Sequence, residues 1–305
     1  IFIILLVENE EKKYLFEEMP VLKAILRLAI PSVIGQLILV FYNLADTFFI
    51  GLAGKSDYFV SSGLTNALIG GITICMPIYM IITALSNLFG VGAASVMSRS
   101  IGKRNYDRAK GASSFAIYGC LFSLIIYSLL VLAILSPITS FLSGGDEQVA
   151  NYAKTYLLLT VVICGIPTGL SSLFAHLLRA EGRSFNASFG ICLGGLLNVA
   201  LDPLFIFVLF DIKDAALAAA LATGVSNLIA FLYYAVYYFF IKNKTYIKLK
   251  PSKEMLHNAL PGEVLKVGLP ACLMTLCENI SFMVMDNLIG ASAYSVPALA
   301  GVGAA

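Results

Sequence analysis

The chain has 305 residues, of which 59% are hydrophobic and 12% charged, with a mean hydropathy of +0.88 and a formal net charge of +2. An ordinary soluble domain carries about 25% charged residues, so this composition excludes one and points to a protein that crosses a lipid bilayer many times. The near-neutral balance gives no reason to expect a nucleic-acid partner. Six cysteines, Cys75, Cys120, Cys164, Cys192, Cys272 and Cys277, all lie in apolar stretches with no Cys-x-x-Cys pair. They read as small hydrophobes, with no metal or redox role.

The chain begins at Ile1, and the acidic stretch around Glu8 to Glu11 follows without a signal-peptide cleavage site. Residues 1–20 are therefore expected to be a cytoplasmic tail on an incomplete or mis-started N-terminus. Seven segments of spanning length follow, at about 22–50, 60–98, 109–135, 150–178, 186–210, 215–241 and 264–290. The second needs a tilt, a kink at Pro77 or an extension beyond the bilayer.

Basic residues fall in alternate loops. Lys12, Lys13 and Lys23 precede the first segment; Arg99, Lys103, Arg104, Arg108 and Lys110 join the second to the third; Arg179 and Arg183 join the fourth to the fifth; and Lys242, Lys244, Lys248, Lys250 and Lys253 join the sixth to the seventh. The other loops hold little more than Lys55, Lys154 and Lys213. The positive-inside rule then puts the N-terminus in the cytoplasm.

Ala24 to Pro31 recurs as Glu263 to Pro270, and Ile50-Gly51 recurs as Ile289-Gly290 at the same offset. The seventh segment restarts the first after an even number of spans, which describes a parallel repeat of six-helix halves. Residues 21–241 form the first half, 242–262 a basic cytoplasmic linker, and 263–305 the start of the second half. Ser295 to Ala305 falls where the repeat's second helix would begin, so the chain is expected to be a fragment.

Polar residues inside the spans carry the functional reading. An ionised carboxylate there costs roughly 2.5–3.5 kcal/mol on insertion scales. Asn198 and Asp202 are four residues apart on one helix face, and Pro203 removes a backbone donor beside them. Gln36, Asn43, Asp46 and Thr47 are spaced to share one face of the first segment, and Asp46 and Asp202 lie at compatible depths. Two such acids in a poorly hydrated cavity cannot both ionise freely: one takes a proton, or a cation holds both. Asn66 with Thr65, and Thr223 with Asn227, add polar groups from the second and sixth segments; Glu278, Asn279 and Asp286 lie on the seventh and would serve a cavity of the second half. Other readings stand beside these: Asp46 solvated at the interface, Asp202 paired to a neighbouring helix, Asn198 as interhelical glue, His176 as a plain interfacial histidine or a proton relay, and Tyr42 and Phe205 as packing.

Pro31 to Asp46-Thr-Phe-Phe-Ile-Gly51, Ser98-Arg-Ser-Ile-Gly102-Lys-Arg-Asn105, Leu178-Arg179-Ala-Glu-Gly182 and Asn198-x-x-x-Asp202-Pro203 occur in that order. Together they resemble the multidrug and toxic compound extrusion (MATE) family, from about residue 20 to the end. The resemblance implies an all-α polytopic fold: the six-helix N-lobe of a twelve-helix, two-bundle architecture plus the first helix of the second lobe. It implies Asp46, Asn198 and Asp202 as the N-lobe cation site, and it matches Glu278 to an acidic coupling position on the seventh helix. Ala175 and His176 stand where members carry Asn, which removes one oxygen ligand for sodium, and Thr223 loosely matches the polar position on the sixth helix.

The expected function is efflux of amphiphilic or cationic drugs from a plasma-membrane monomer, by alternating access coupled to H⁺ or Na⁺. No other cofactor, no metal beyond a possible Na⁺ at Asp46, Asn198 and Asp202, and no enzyme activity is expected. A lipid-linked oligosaccharide flippase and a non-transporting fragment are the alternatives. A membrane-embedded enzyme is disfavoured, because no protease or Ser-Lys motif occurs in the spans.

Overall fold

The computed structural model describes residues 19–251, 253–256 and 259–290. The tail before residue 19, the Ser295 to Ala305 segment and the Asp286 side chain lie outside the described residues. The fold is α-helical, with no strand among the described residues: α1 (Val21–Gly54), α2 (Asp57–Ser62), α3 (Thr65–Thr73), α4 (Met76–Gly102), α5 (Tyr106–Leu142), α6 (Glu147–Leu157), α7 (Gly165–Ala180), α8 (Ser184–Leu204), α9 (Ala215–Ile241) and α10 (Leu260–Gly290). Among the described residues six helical stretches are long and apolar enough to cross a membrane, and α6 with α7, bent by 51° where they meet, counts as a seventh when the pair is taken as one span. The chain is thus a polytopic helical membrane protein.

Each expected span has a counterpart, with local differences that have physical causes. The second is interrupted at Ile74 and Cys75, just ahead of Pro77, which sits in the first turn of α4. Proline is tolerated there because the first helical N–H groups need no intrahelical acceptor. The fourth breaks at Cys164 after a π-helical stretch, Leu158–Ile163, and the fifth passes through Pro203 into another, Phe205–Leu209. The short helix α2 falls across the start of the second expected segment; it closes on Gly63 at φ 71°, a left-handed conformation that glycine adopts without strain. Side chains cap two later helices: Asn105 accepts from the Arg108 amide at the start of α5, and Asp146 accepts from the Gln148 and Val149 amides before α6.

Helix packing rests on small residues. α8 lies along α1, where a Cβ on Gly35 would meet Ser188 at 3.3 Å and one on Gly195 would meet Ile38 at 3.1 Å. On its other side α8 packs against α9, Gly190 beneath the Tyr234 ring and Gly194 against Ala230. α10 packs along α4 with backbone against backbone: a Cβ on Gly268 would stand 1.7 Å from the Leu88 carbonyl oxygen, and one on Gly92 2.1 Å from that of Val264. Small residues at such crossings maximise van der Waals contact in a solvent that supplies no hydrophobic drive between helices.

The basic segment after α9 is not a free linker. Glu181, 3% exposed in the α7–α8 turn, accepts from the Thr245 hydroxyl at 2.7 Å and from the Tyr246 and Ile247 amides, and pairs with the buried Arg183 at 3.5 Å. Ser114 of α5 donates to the Lys248 carbonyl at 2.9 Å, Tyr118 donates to that of Leu249 at 2.7 Å, and Tyr246 stacks on Tyr106. Residues 245–250 are therefore strapped to the first six spans. Arg108 of α5 and Glu263 of α10, 2.7 Å apart, continue the attachment.

The α4–α10 crossing yields a direct test. Gly268→Ala is expected to destabilise the protein by about 1–3 kcal/mol, because the backbone must give way. Gly51→Ala, at a helical position with nothing within 4 Å of the added carbon, is expected to be neutral or slightly stabilising. Thermal unfolding in detergent, followed by circular dichroism, compares the two.

Candidate functional site

The register of α8 against its neighbours builds the site. Gly35 faces Ser188 and Ile38 faces Gly195 on parallel helices, so the same register further along brings Asp46 level with Asp202. On the antiparallel α9, the Gly190–Tyr234 and Gly194–Ala230 contacts lead on to Asn198 against Thr223. Asp46 is 6% exposed, Asn198 1%, Asp202 0% and Thr223 4%. The Asn198 amide donates to Asp202 Oδ1 at 3.4 Å and to Thr223 Oγ1 at 3.3 Å.

Three oxygens in this pocket have no hydrogen-bond partner among the described residues: Asp46 Oδ1, Asn198 Oδ1 and Asp202 Oδ2. Unpaired buried acceptors of this kind cost free energy unless something fills them. The two carboxylates interact electrostatically and have no ion-pair partner among the described residues. Pro203 has no N–H to give the Val199 carbonyl. An all-oxygen set of two carboxylates and an amide suits a proton or a hard monovalent cation and does not suit a thiolate- or imidazole-binding transition metal. No cluster of three or more His, Cys, Asp or Glu side chains with metal-binding geometry exists among the described residues.

The remaining candidates divide. Gln36, Asn43 and Thr47 are exposed on α1, away from Asp46. The expected common face is corrected here: Asp46 sits about 80° around the helix from that stripe, enough to turn it into the bundle while the stripe faces out. Thr47 donates to the Asn43 carbonyl at 3.0 Å. Asn66 is exposed, and Thr65 donates to the Gly54 carbonyl at 2.7 Å. Asn227 donates to the Tyr79 hydroxyl at 3.3 Å. Glu278 is exposed on α10 and does not join the Asp46–Asp202 pocket, while Asn279 donates to the Pro77 carbonyl at 2.9 Å. His176 turns away from the pocket and bonds Asn87 at 3.1 Å.

Tyrosines stand near the acids where the sequence offered only packing: Tyr42 lies one helical turn before Asp46, Tyr79 accepts from Asn227, and Tyr156 is buried at 3% exposed. Tyr42 was legible as a neighbour of Asp46 by its i,i+4 spacing. Asn87 was not singled out, although a lone amide deep in an apolar span is itself a signal.

Buried acids and an amide brought together from the first, fifth and sixth spans of a helical membrane bundle make a candidate functional site, since ionisable groups inside spans are costly. Comparison with known proteins gives the family: the MatE family model matches residues 31–204. The chain belongs to the MatE family. It is 33% identical over 286 residues to the multidrug export protein MepA of Staphylococcus aureus strain MSSA476, a match covering 91% of this chain and 58% of MepA. A solved outward-facing multidrug resistance MATE family transporter of the MOP superfamily superposes with a TM-score of 0.72 at 28% identity, covering 90% of this chain and 57% of that one. A MATE crystal structure in complex with MaD5 gives 0.75 at 26% identity, covering 88% and 57%. The chain thus spans little more than half the length of the relatives it matches.

The amide bridge can be tested by itself. Thr223→Val removes one acceptor of Asn198 at constant shape and is expected to cost about 0.6 kcal/mol, while Thr223→Ser retains the bond. Chemical unfolding of the two variants in mixed micelles measures the difference.

Proposed function

We propose that this chain is the ion-coupling part of a multidrug exporter that works by alternating access. Asp46, Asn198 and Asp202 take up a proton or sodium ion, and that neutralisation selects between two packings of α1. The observation that supports the reading most directly is the set of three partnerless oxygens, on α1 and α8, sealed inside the bundle. A ligand shifts a conformational equilibrium only through its differential affinity for the two states. Two carboxylates that repel when empty and share an ion when filled supply such a difference.

In the proposed cycle the basic loops at residues 99–110, 179–183 and 242–253 face the cytoplasm of a plasma-membrane protein. The exposed stripe of Gln36, Asn43 and Thr47 faces the drug pathway, and Glu278 serves the corresponding cavity of the second half. An ion entering from outside discharges the Asp46–Asp202 pair, α1 repacks, and an amphiphilic or cationic drug is expelled. Release of the ion to the cytoplasm restores the carboxylates' charge for the next drug. One charge crossing 100 mV supplies about 2.3 kcal/mol per turnover. The name of MepA as a multidrug export protein supports the substrate class.

Asp202→Asn fixes the site in its discharged form and is expected to cut drug extrusion by at least about tenfold while expression and helicity hold. Resistance of drug-sensitive cells together with ethidium efflux provides the measurement; unimpaired efflux overturns the coupling role. In everted vesicles, collapse of a sodium gradient or a proton gradient is expected to stop transport in one case and not the other. Indifference to both would exclude antiport.

A further inference from the structure

Polar cross-links that tie α10 to the preceding spans include Arg108–Glu263, Asn87–Thr275 and Asn279 to the Pro77 carbonyl. The Asn87–Thr275 link continues into the bundle. The Thr275 hydroxyl donates to the Ala271 carbonyl at 3.1 Å, so it accepts from the Asn87 amide nitrogen at 2.9 Å. That orientation leaves Asn87 Oδ1 facing His176 Nε2 at 3.1 Å, and the imidazole must carry a proton on Nε2 to complete the line. Space for it is made by Gly90, where a Cβ would stand 2.8 Å from the His176 ring.

The helix α4 that holds this line also borders the ion site. Tyr79 of α4 accepts from Asn227 of α9, one turn after the Thr223 that bonds Asn198, and eight residues further along α4 Asn87 meets His176. Eight residues are about 12 Å of helix. α4 is therefore a ladder with two polar rungs, Tyr79 toward the Asn198–Thr223 cluster and Asn87 toward α10.

We propose that Asn87 and His176 are positioning residues that join the ion pocket to α10 through this second rung, holding the α4–α10 contact shut in the present conformation. The inference rests on the alternating-access reading for its purpose, since α10 opens the second half of the repeat. The bonds themselves do not depend on that reading.

Cys272, buried one turn before Thr275, reports opening of the contact, and the exposed Cys277 on the same helix is an internal control. Maleimide labelling of the whole protein in detergent, mapped by tandem mass spectrometry, reads both. Thr275→Val, Asn87→Ala and His176→Asn are each expected to speed Cys272 labelling roughly threefold to tenfold relative to Cys277. The double variant Asn87→Ala/Thr275→Val should match the singles, because one line is broken in each. His176→Gln places its amide nitrogen near the position of Nε2 and should restore the parent rate, which a loss of packing would not do. Unchanged labelling in all three variants, additive effects in the double variant, or a Gln variant as fast as the Asn variant overturns the proposal. Labelling requires no transport, so its failure is distinct from a failure of Asp202→Asn to stop export.

Discussion

The structure is organised by the burial of two carboxylates that have no basic partner among the described residues. Asp202 is fully buried and Asp46 nearly so. Burying one charge without a partner costs several kcal/mol, and burying two of the same sign costs more. A bundle that tolerates this must either keep the acids discharged or supply an ion. Around them stand an amide whose nitrogen donates to both Asp202 and Thr223, a helix interrupted by Pro203, and Tyr79, which accepts from Asn227.

Small residues make that placement possible. Without Gly35, Gly190, Gly194 and Gly195, α8 could not lie close to α1 and α9 at once, and the three polar side chains would be held apart by their own helices' bulk. The chain spends its glycines on register, and the register sets the pocket. Helix α8, which packs through Gly190, Gly194 and Gly195, also carries Asn198 and Asp202.

The spans were legible because an apolar stretch of bilayer length, bounded by charge or proline, has few alternatives. The break at Ile74–Cys75 was legible only as the warning at Pro77, and the one at Cys164 was not legible, since the bend depends on which neighbours satisfy the loosened backbone. Asn198 and Asp202 come together as their i,i+4 spacing implies, and Thr223, named in the sequence only as a polar group on the sixth segment, joins them through the Asn198 amide. Asp46 was harder: its polar neighbours Gln36, Asn43 and Thr47 form a stripe that draws it to the wrong azimuth, and only the contact with α8 turns it inward. The docking of Thr245 to Lys250 was hidden because a Lys-rich stretch reads as solvated, while its backbone, which makes most of the bonds, has no signature in the side chains.

Where α4 crosses α10, Gly92 and Gly268 leave peptide against peptide with no side chain between. Such a junction has nothing soft to compress, so the two rods cannot approach further, and sliding would drive a Cβ into a carbonyl within a single residue's rise. Rotation about the touching point is the freedom that survives. The crossing is thus a fulcrum, and a small angular change there is magnified with distance along both arms.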